Sequence, residues 1–124
     1  MKQTCILVIG MHRSGTSAMT GILHQLGIPM GDALMPPRAG ENEMGFWEDE
    51  RIVAIHERLL SQFGMTWDDT RLMPDRWWER QETKKFKLEI IDLINESFNS
   101  NPIWAFKDPR TCRLLPLWKE ILNE

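Results

Sequence analysis

One stretch constrains this chain more than any other: LVIGMHRSGTSAMTGIL, beginning at Leu7. Cys5 to Ile9 is a continuous apolar run, the pattern of a strand buried on both faces. It ends at Gly10, and Gly15 follows with two hydroxyl residues, Thr16 and Ser17, directly after it. From Ser17 the period changes. Ala18, Met19, Ile22, Leu23 and Leu26 take helical spacing, and Gly27 is a stop signal. Strand, glycine loop and helix in that order make a cradle for an anion, because the first N–H groups of a helix lack intrahelical acceptors and carry the positive end of its dipole. The outline is G-x-x-x-x-G-[K]-[ST] with one departure: Thr16 stands in the lysine position, and the nearest cation is Arg13, inside the loop. A tight turn with Ser17 capping the helix is the plainer reading, but it does not account for Arg13.

The rest of the chain alternates between loop and helix. Gly31 to Gly45 reads as loop, with Pro36 and Pro37 inside it. A second helix is expected from about Glu48 to Phe63, with Ile52, Ile55, Leu59, Leu60 and Phe63 on one face and Gly64 beyond. MTWDDTRLMP is another loop. A third helix is expected from about Asp75 to Phe98, where Phe86, Ile90, Ile94 and Phe98 recur at helical spacing. NSNP breaks the chain, and IWAF is a second short strand running into Lys107. Pro116 suits the first turn of a last helix carrying Leu117, Trp118, Ile121 and Leu122. The order β-α-α-α-β-α predicts an α/β unit with a parallel sheet and a right-handed crossover. Two strands alone leave unpaired edges. The sheet is therefore expected to be incomplete, its edges covered by the remainder of a longer chain or by an oligomer partner.

Composition narrows the function classes. The 124 residues suffice for one small domain, and a hydrophobic content of 42% is that of a globular protein. A net charge of -3 argues against a general nucleic-acid binder, though not against an anionic ligand, since local field outweighs the total. No apolar stretch reaches the roughly 18 residues of a membrane span, and the N-terminal apolar run leads into a glycine loop, not a cleavage site. Cys5 and Cys112 have no zinc or redox spacing and read as reduced, buried thiols of a cytoplasmic chain.

Open α/β sheets bind ligands beyond the carboxyl ends of their strands. Both strands here end in cationic segments, GMHRSGTS and KDPRTCR. If the strands are parallel neighbours, Arg13, Lys107, Arg110 and Arg113 converge on one rim, with the backbone N–H groups of Ser14 to Ser17. For KDPR the plainer reading is a surface turn with a Lys–Asp pair.

HRSGTS resembles the 5′-phosphosulfate-binding loop of sulfotransferases that use 3′-phosphoadenosine 5′-phosphosulfate (PAPS), in which a lysine or arginine precedes a run of small and hydroxyl residues. WAFKDPR is similar to the second strand end of that family. PMGDALMPP, ENEMGFWEDE, MTWDD and LLPLW read like a bacterial branch of it, so the resemblance covers nearly the whole chain. It implies a P-loop-like three-layer unit with a parallel sheet, of two strands and about four helices here, and makes residues 1–124 the N-terminal part of a single sulfotransferase domain. The family's 3′-phosphate site, an arginine and a serine later in the chain, has no counterpart after Cys112, which points to a fragment.

The resemblance implies sulfuryl transfer from PAPS, as donor substrate, to a hydroxyl or amine acceptor, with carbohydrate, lipid and small molecule all open. Less charge builds on a sulfuryl than on a phosphoryl group, so no metal is required. Arg13 would stabilise the leaving oxygen. The amides of Ser14, Gly15 and Thr16 and the hydroxyls of Thr16 and Ser17 would hold the 5′-phosphate. Lys107 would face the sulfuryl group, Arg110 would line the rim, and His12 would flank the phosphate or shape the loop. Glu48 is the favoured base, with Glu41 and Glu43 behind it; capping and solvating the second helix is the alternative use of these acids. His56 reads as a helix residue and not as a base. Asp68 and Asp69 read as turn residues in preference to a metal pair. Trp47, Trp67, Trp77 and Trp78 could stack on an acceptor, though burial is the commoner use of tryptophan. Two rivals stay open: a P-loop nucleotide kinase, which Thr16 in the lysine position disfavours, and a non-catalytic anion-binding module.

Overall fold

The computed structural model describes residues 2–11, 14–31 and 48–123. Among these, two parallel strands, β1 (Thr4–Val8) and β2 (Ile103–Lys107), pair in the register Cys5 with Trp104, Leu7 with Phe106 and Val8 with Lys107. The helices are α1 (Thr16–Gln25), α2 (Glu50–Gln62), α3 (Gln81–Phe98) and α4 (Thr111–Leu122), with a short 3-10 turn at Trp77–Glu79. The chain is thus mixed α/β with four helices and a two-stranded parallel sheet among the described residues.

The alternation of strand side chains sorts the sheet into two faces. Trp104 and Phe106 enter the core, with Cys5 and Leu7 beside them. They meet Ile52, Leu59 and Leu60 of α2, Phe86 and Ile90 of α3, and Leu114, Leu117 and Trp118 of α4. Phe98 stacks on Trp104 with ring centroids 4.3 Å apart, and Trp118 lies 4.2 Å from Phe106. The opposite face carries Ile6, Val8, Ala105 and Lys107, and α1 packs against both strands. On the far edge of β2 the Ala105 N–H donates to the Pro29 carbonyl at 2.9 Å. The segment that follows α1 therefore runs along β2 in place of a third strand.

Several boundaries follow the sequence closely. Gly27 adopts φ +86, and its N–H and that of Ile28 return to the carbonyls of His24 and Leu23, closing α1 as expected. Asp49 caps α2, its carboxylate accepting from the Arg51 N–H at 2.9 Å. Three expectations need correction. The expected helix from Asp75 breaks before Gln81: Arg76 takes φ 51 and Arg80 is extended. At about 100° per residue a continuous helix would hold Trp77 on the side opposite Phe86. The break lets Trp77 turn into the core, 3% exposed, against Phe63. The last helix begins at Thr111, so Pro116 lies inside it and not in its first turn. Asp108 sets that start, its carbonyl accepting from Thr111 N–H and its carboxylate from Arg110 N–H.

Nor is β1 buried on both faces. Of its residues only Val8 is buried, because among the described residues β1 has a single paired edge and a groove along Thr4, Cys5, Ile91, Ile94, Trp104 and Ile121 opens beside it. The apolar side chains Met19, Ile22 and Leu26 of and just after α1, with Ile9 and Met11, are likewise exposed. Cys5 and Cys112 are free and half-buried, and burial pushes the Cys5 thiol up to about 12. No helix among the described residues is long and apolar enough to cross a membrane.

Candidate functional site

The glycine loop closes tightly on itself. A Cβ added at Gly10 would lie 2.6 Å from Thr16 Cγ2 and 2.7 Å from Ser14 Oγ, so any other residue there must displace those side chains. Ser14 donates its hydroxyl to the Met11 carbonyl at 2.6 Å. Gly15 holds φ +88, the left-handed region that glycine enters at least cost, and forms the N-cap of α1. Among the described residues no side-chain cap is seen at this helix start. Ser14 and Gly15 are exposed, Ser17 half-buried and Thr16 buried. The expected phosphate contacts of His12 and Arg13, and the acids Glu41 and Glu43 with Trp47, lie outside the described residues.

The parallel register carries the end of β2 to the loop. Lys107, 4% exposed, donates from Nζ to Ser17 Oγ at 3.0 Å and to Glu48 Oε1 at 3.0 Å. Glu48 is itself 4% exposed and sits just before the Asp49 cap of α2. Burial pushes the Glu48 carboxyl above its ordinary value, and the Lys107 ammonium counteracts only part of that rise. Three residues named from the sequence, from three distant segments, thus share one hydrogen-bonded cluster.

Lys107 and Asp108 turn opposite ways at the strand end. Asp108, fully buried, receives His56 Nδ1 on Oδ2 at 2.6 Å and Arg110 Nη1 on Oδ1 at 2.8 Å. Burial acts to raise the Asp108 carboxyl, but the His56 and Arg110 contacts outweigh it and hold it at about 2. Arg110 also reaches Glu57 Oε1 at 3.0 Å. The plain reading of KDPR as a Lys–Asp pair is corrected: Lys107 pairs with Glu48, and Asp108 with His56 and Arg110. Arg110 follows the carboxyl end of β2, and its guanidinium engages two carboxylates, Glu57 and Asp108. Arg113 does not join the rim. Its guanidinium donates to the Asp69 and Arg71 carbonyls and fastens the loop before the 3-10 turn.

His56 is a helix residue, as expected, but the network it holds has no counterpart in the sequence reading. Its signal was a polar residue on the apolar stripe of α2, between Ile52, Ile55 and Leu59. Asp68 accepts from Thr66 and Asp69 from Arg71. Among the described residues no group of three or more His, Cys, Asp or Glu is arranged to hold a metal. Of the tryptophans expected to stack or to be buried, Trp77 is in the core, Trp78 half-buried and Trp67 exposed. No family model, curated protein or solved structure matches the chain.

Proposed function

We propose that this chain forms the donor-binding and transfer rim of a PAPS-dependent sulfotransferase, within a P-loop-like three-layer unit. The observation that carries the reading is the Lys107 ammonium bonded at once to Ser17 of the glycine loop and to the buried Glu48. The likeness of HRSGTS and WAFKDPR to the family supports it from the sequence side.

The start of α1, with glycine at its N-cap, suits the 5′-phosphosulfate, with the N–H groups of its first turn and the Ser17 hydroxyl as donors. In the reaction the acceptor oxygen or nitrogen bonds to sulfur, and the bond from sulfur to the bridging phosphate oxygen breaks. The acceptor proton passes to Glu48, whose carboxyl burial pushes above its ordinary value. Lys107, with Arg13 from the loop, meets the negative charge growing on the bridging oxygen. Adenosine 3′,5′-bisphosphate leaves. Lys107 would hand part of its hydrogen bonding from Glu48 to the donor, which frees the carboxylate for the acceptor proton.

Calorimetry with adenosine 3′,5′-bisphosphate, ATP with Mg²⁺ and inorganic sulfate tests the reading. Binding of the bisphosphate in preference to the others is expected. Preference for ATP with Mg²⁺ would favour a kinase, and binding of sulfate alone would reduce the site to an anion-binding module.

A further inference from the structure

Trp118 Nε1 donates to His56 Nε2 at 2.9 Å, and His56 Nδ1 lies 2.6 Å from Asp108 Oδ2. An indole N–H can only donate, so His56 Nε2 must accept and the ring proton must sit on Nδ1, aimed at the carboxylate. The imidazole is wholly buried and meets Trp118 edge-on, with ring centroids 5.8 Å apart. Both ring nitrogens are engaged inside the fold. A buried polar chain of this kind costs desolvation that apolar packing would avoid, and what it supplies is a fixed direction.

That direction ends on Arg110, just past the carboxyl end of β2. With Oδ2 held by His56, the other Asp108 oxygen faces Arg110 and accepts from both its backbone N–H and Nη1. Arg110 Nη2 goes to Glu57, whose side chain is 56% exposed, while Arg110 Nε is buried with no hydrogen-bond partner. The chain from Trp118 thus finishes on a guanidinium with one exchangeable surface partner, Glu57. We propose that His56 is a positioning residue, locked by Trp118 as the Nδ1–H tautomer, which through Asp108 aims Arg110 at an anionic group of the bound ligand. The consequence for binding rests on the sulfotransferase reading; the locking of Arg110 does not.

The test uses the full chain in three forms: wild type, His56→Leu, and His56→Gln, which keeps one donor and one acceptor. Near-UV circular dichroism checks that each is folded. The ¹⁵N shifts of the wild-type ring should report the Nδ1–H tautomer; the Nε2–H tautomer would overturn the proposal without any variant. The Arg110 Nε–H resonance should be ordered in wild type, averaged in His56→Leu and restored in His56→Gln. An Arg110 equally ordered in a folded His56→Leu would also overturn it. Affinity for adenosine 3′,5′-bisphosphate should fall about tenfold in His56→Leu and recover in His56→Gln, the loss of roughly one charged hydrogen bond. Unchanged affinity in folded His56→Leu would refute the aim at the ligand. If wild type binds no bisphosphate, the sulfotransferase reading and that aim fail together, while the tautomer and Arg110 measurements still decide the locking.

Discussion

Lys107 and Glu48 form a buried ion pair at 3.0 Å, with side chains only 4% and 6% exposed. Removing one member of such a pair leaves the other as an uncompensated charge, a loss of about 3–5 kcal/mol. Lys107→Ala should therefore unfold at markedly lower urea concentration at pH 7. Lys107→Ala combined with Glu48→Gln should recover most of that stability. Glu48 is already raised by burial and loses the opposing pull of the ammonium without Lys107, so the penalty of the single variant should shrink as pH falls. A pH-independent penalty would show that the pair is not the cause.

Asp108 titrates in the opposite sense. Its folded value, about 2, lies below the ordinary 3.8, so its contribution is complete above about pH 4 and is lost as pH falls towards 2. The difference corresponds to about 2 kcal/mol. Wild type should lose stability through that window, and Asp108→Asn, already weaker at pH 7, should lose less. Chemical denaturation at a series of pH values measures both slopes. Parallel slopes would mean that Asp108 is not the group responsible.

The two loop glycines should fail for different reasons. Gly10→Ala brings a methyl group within 2.6 Å of Thr16 Cγ2 and should cost about 1–3 kcal/mol by overpacking. Gly15→Ala meets nothing within 4 Å but must hold φ +88, a strain of about 1–2 kcal/mol. Gly15→Asn should recover part of that loss, because asparagine enters the left-handed region more readily, whereas Gly10→Asn should be worse than Gly10→Ala. Thermal melts of the four variants separate the two causes.

The change of period at Gly10–Ser17 made the opening strand, loop and helix legible, and Gly27 and Gly64 ended helices where their positive φ allows. The break before α3 was not legible, because Trp77 and Trp78 suit a helix in composition and only the direction of the core tells them apart. The apolar run of β1 could not reveal how many neighbours the strand has, so its burial was read too deep. Ser17, Glu48 and Lys107 could each be named from chemistry. Their meeting could not, since it depends on parallel register and on where the chain re-enters α2. The pairing of Arg110 with Asp108 and Glu57 was hidden for the same reason: sequence shows the cation but not the carboxylates that fold against it.

The most direct test of the central claim is release of adenosine 3′,5′-bisphosphate from PAPS by wild type and Glu48→Gln, over a panel of carbohydrate and small hydroxyl or amine acceptors. The affinity of each protein for the bisphosphate is measured beside it. If Glu48 takes the acceptor proton, turnover should fall by about 10²–10⁴-fold in Glu48→Gln, while affinity changes far less, because the carboxylate acts on the acceptor and not on the donor. Acceptor-dependent release by wild type with that split between turnover and binding is the expected result. Turnover retained in Glu48→Gln, or a wild type that binds the bisphosphate yet releases none from PAPS with any acceptor, would contradict the assignment of sulfuryl transfer to the Ser17–Lys107–Glu48 cluster.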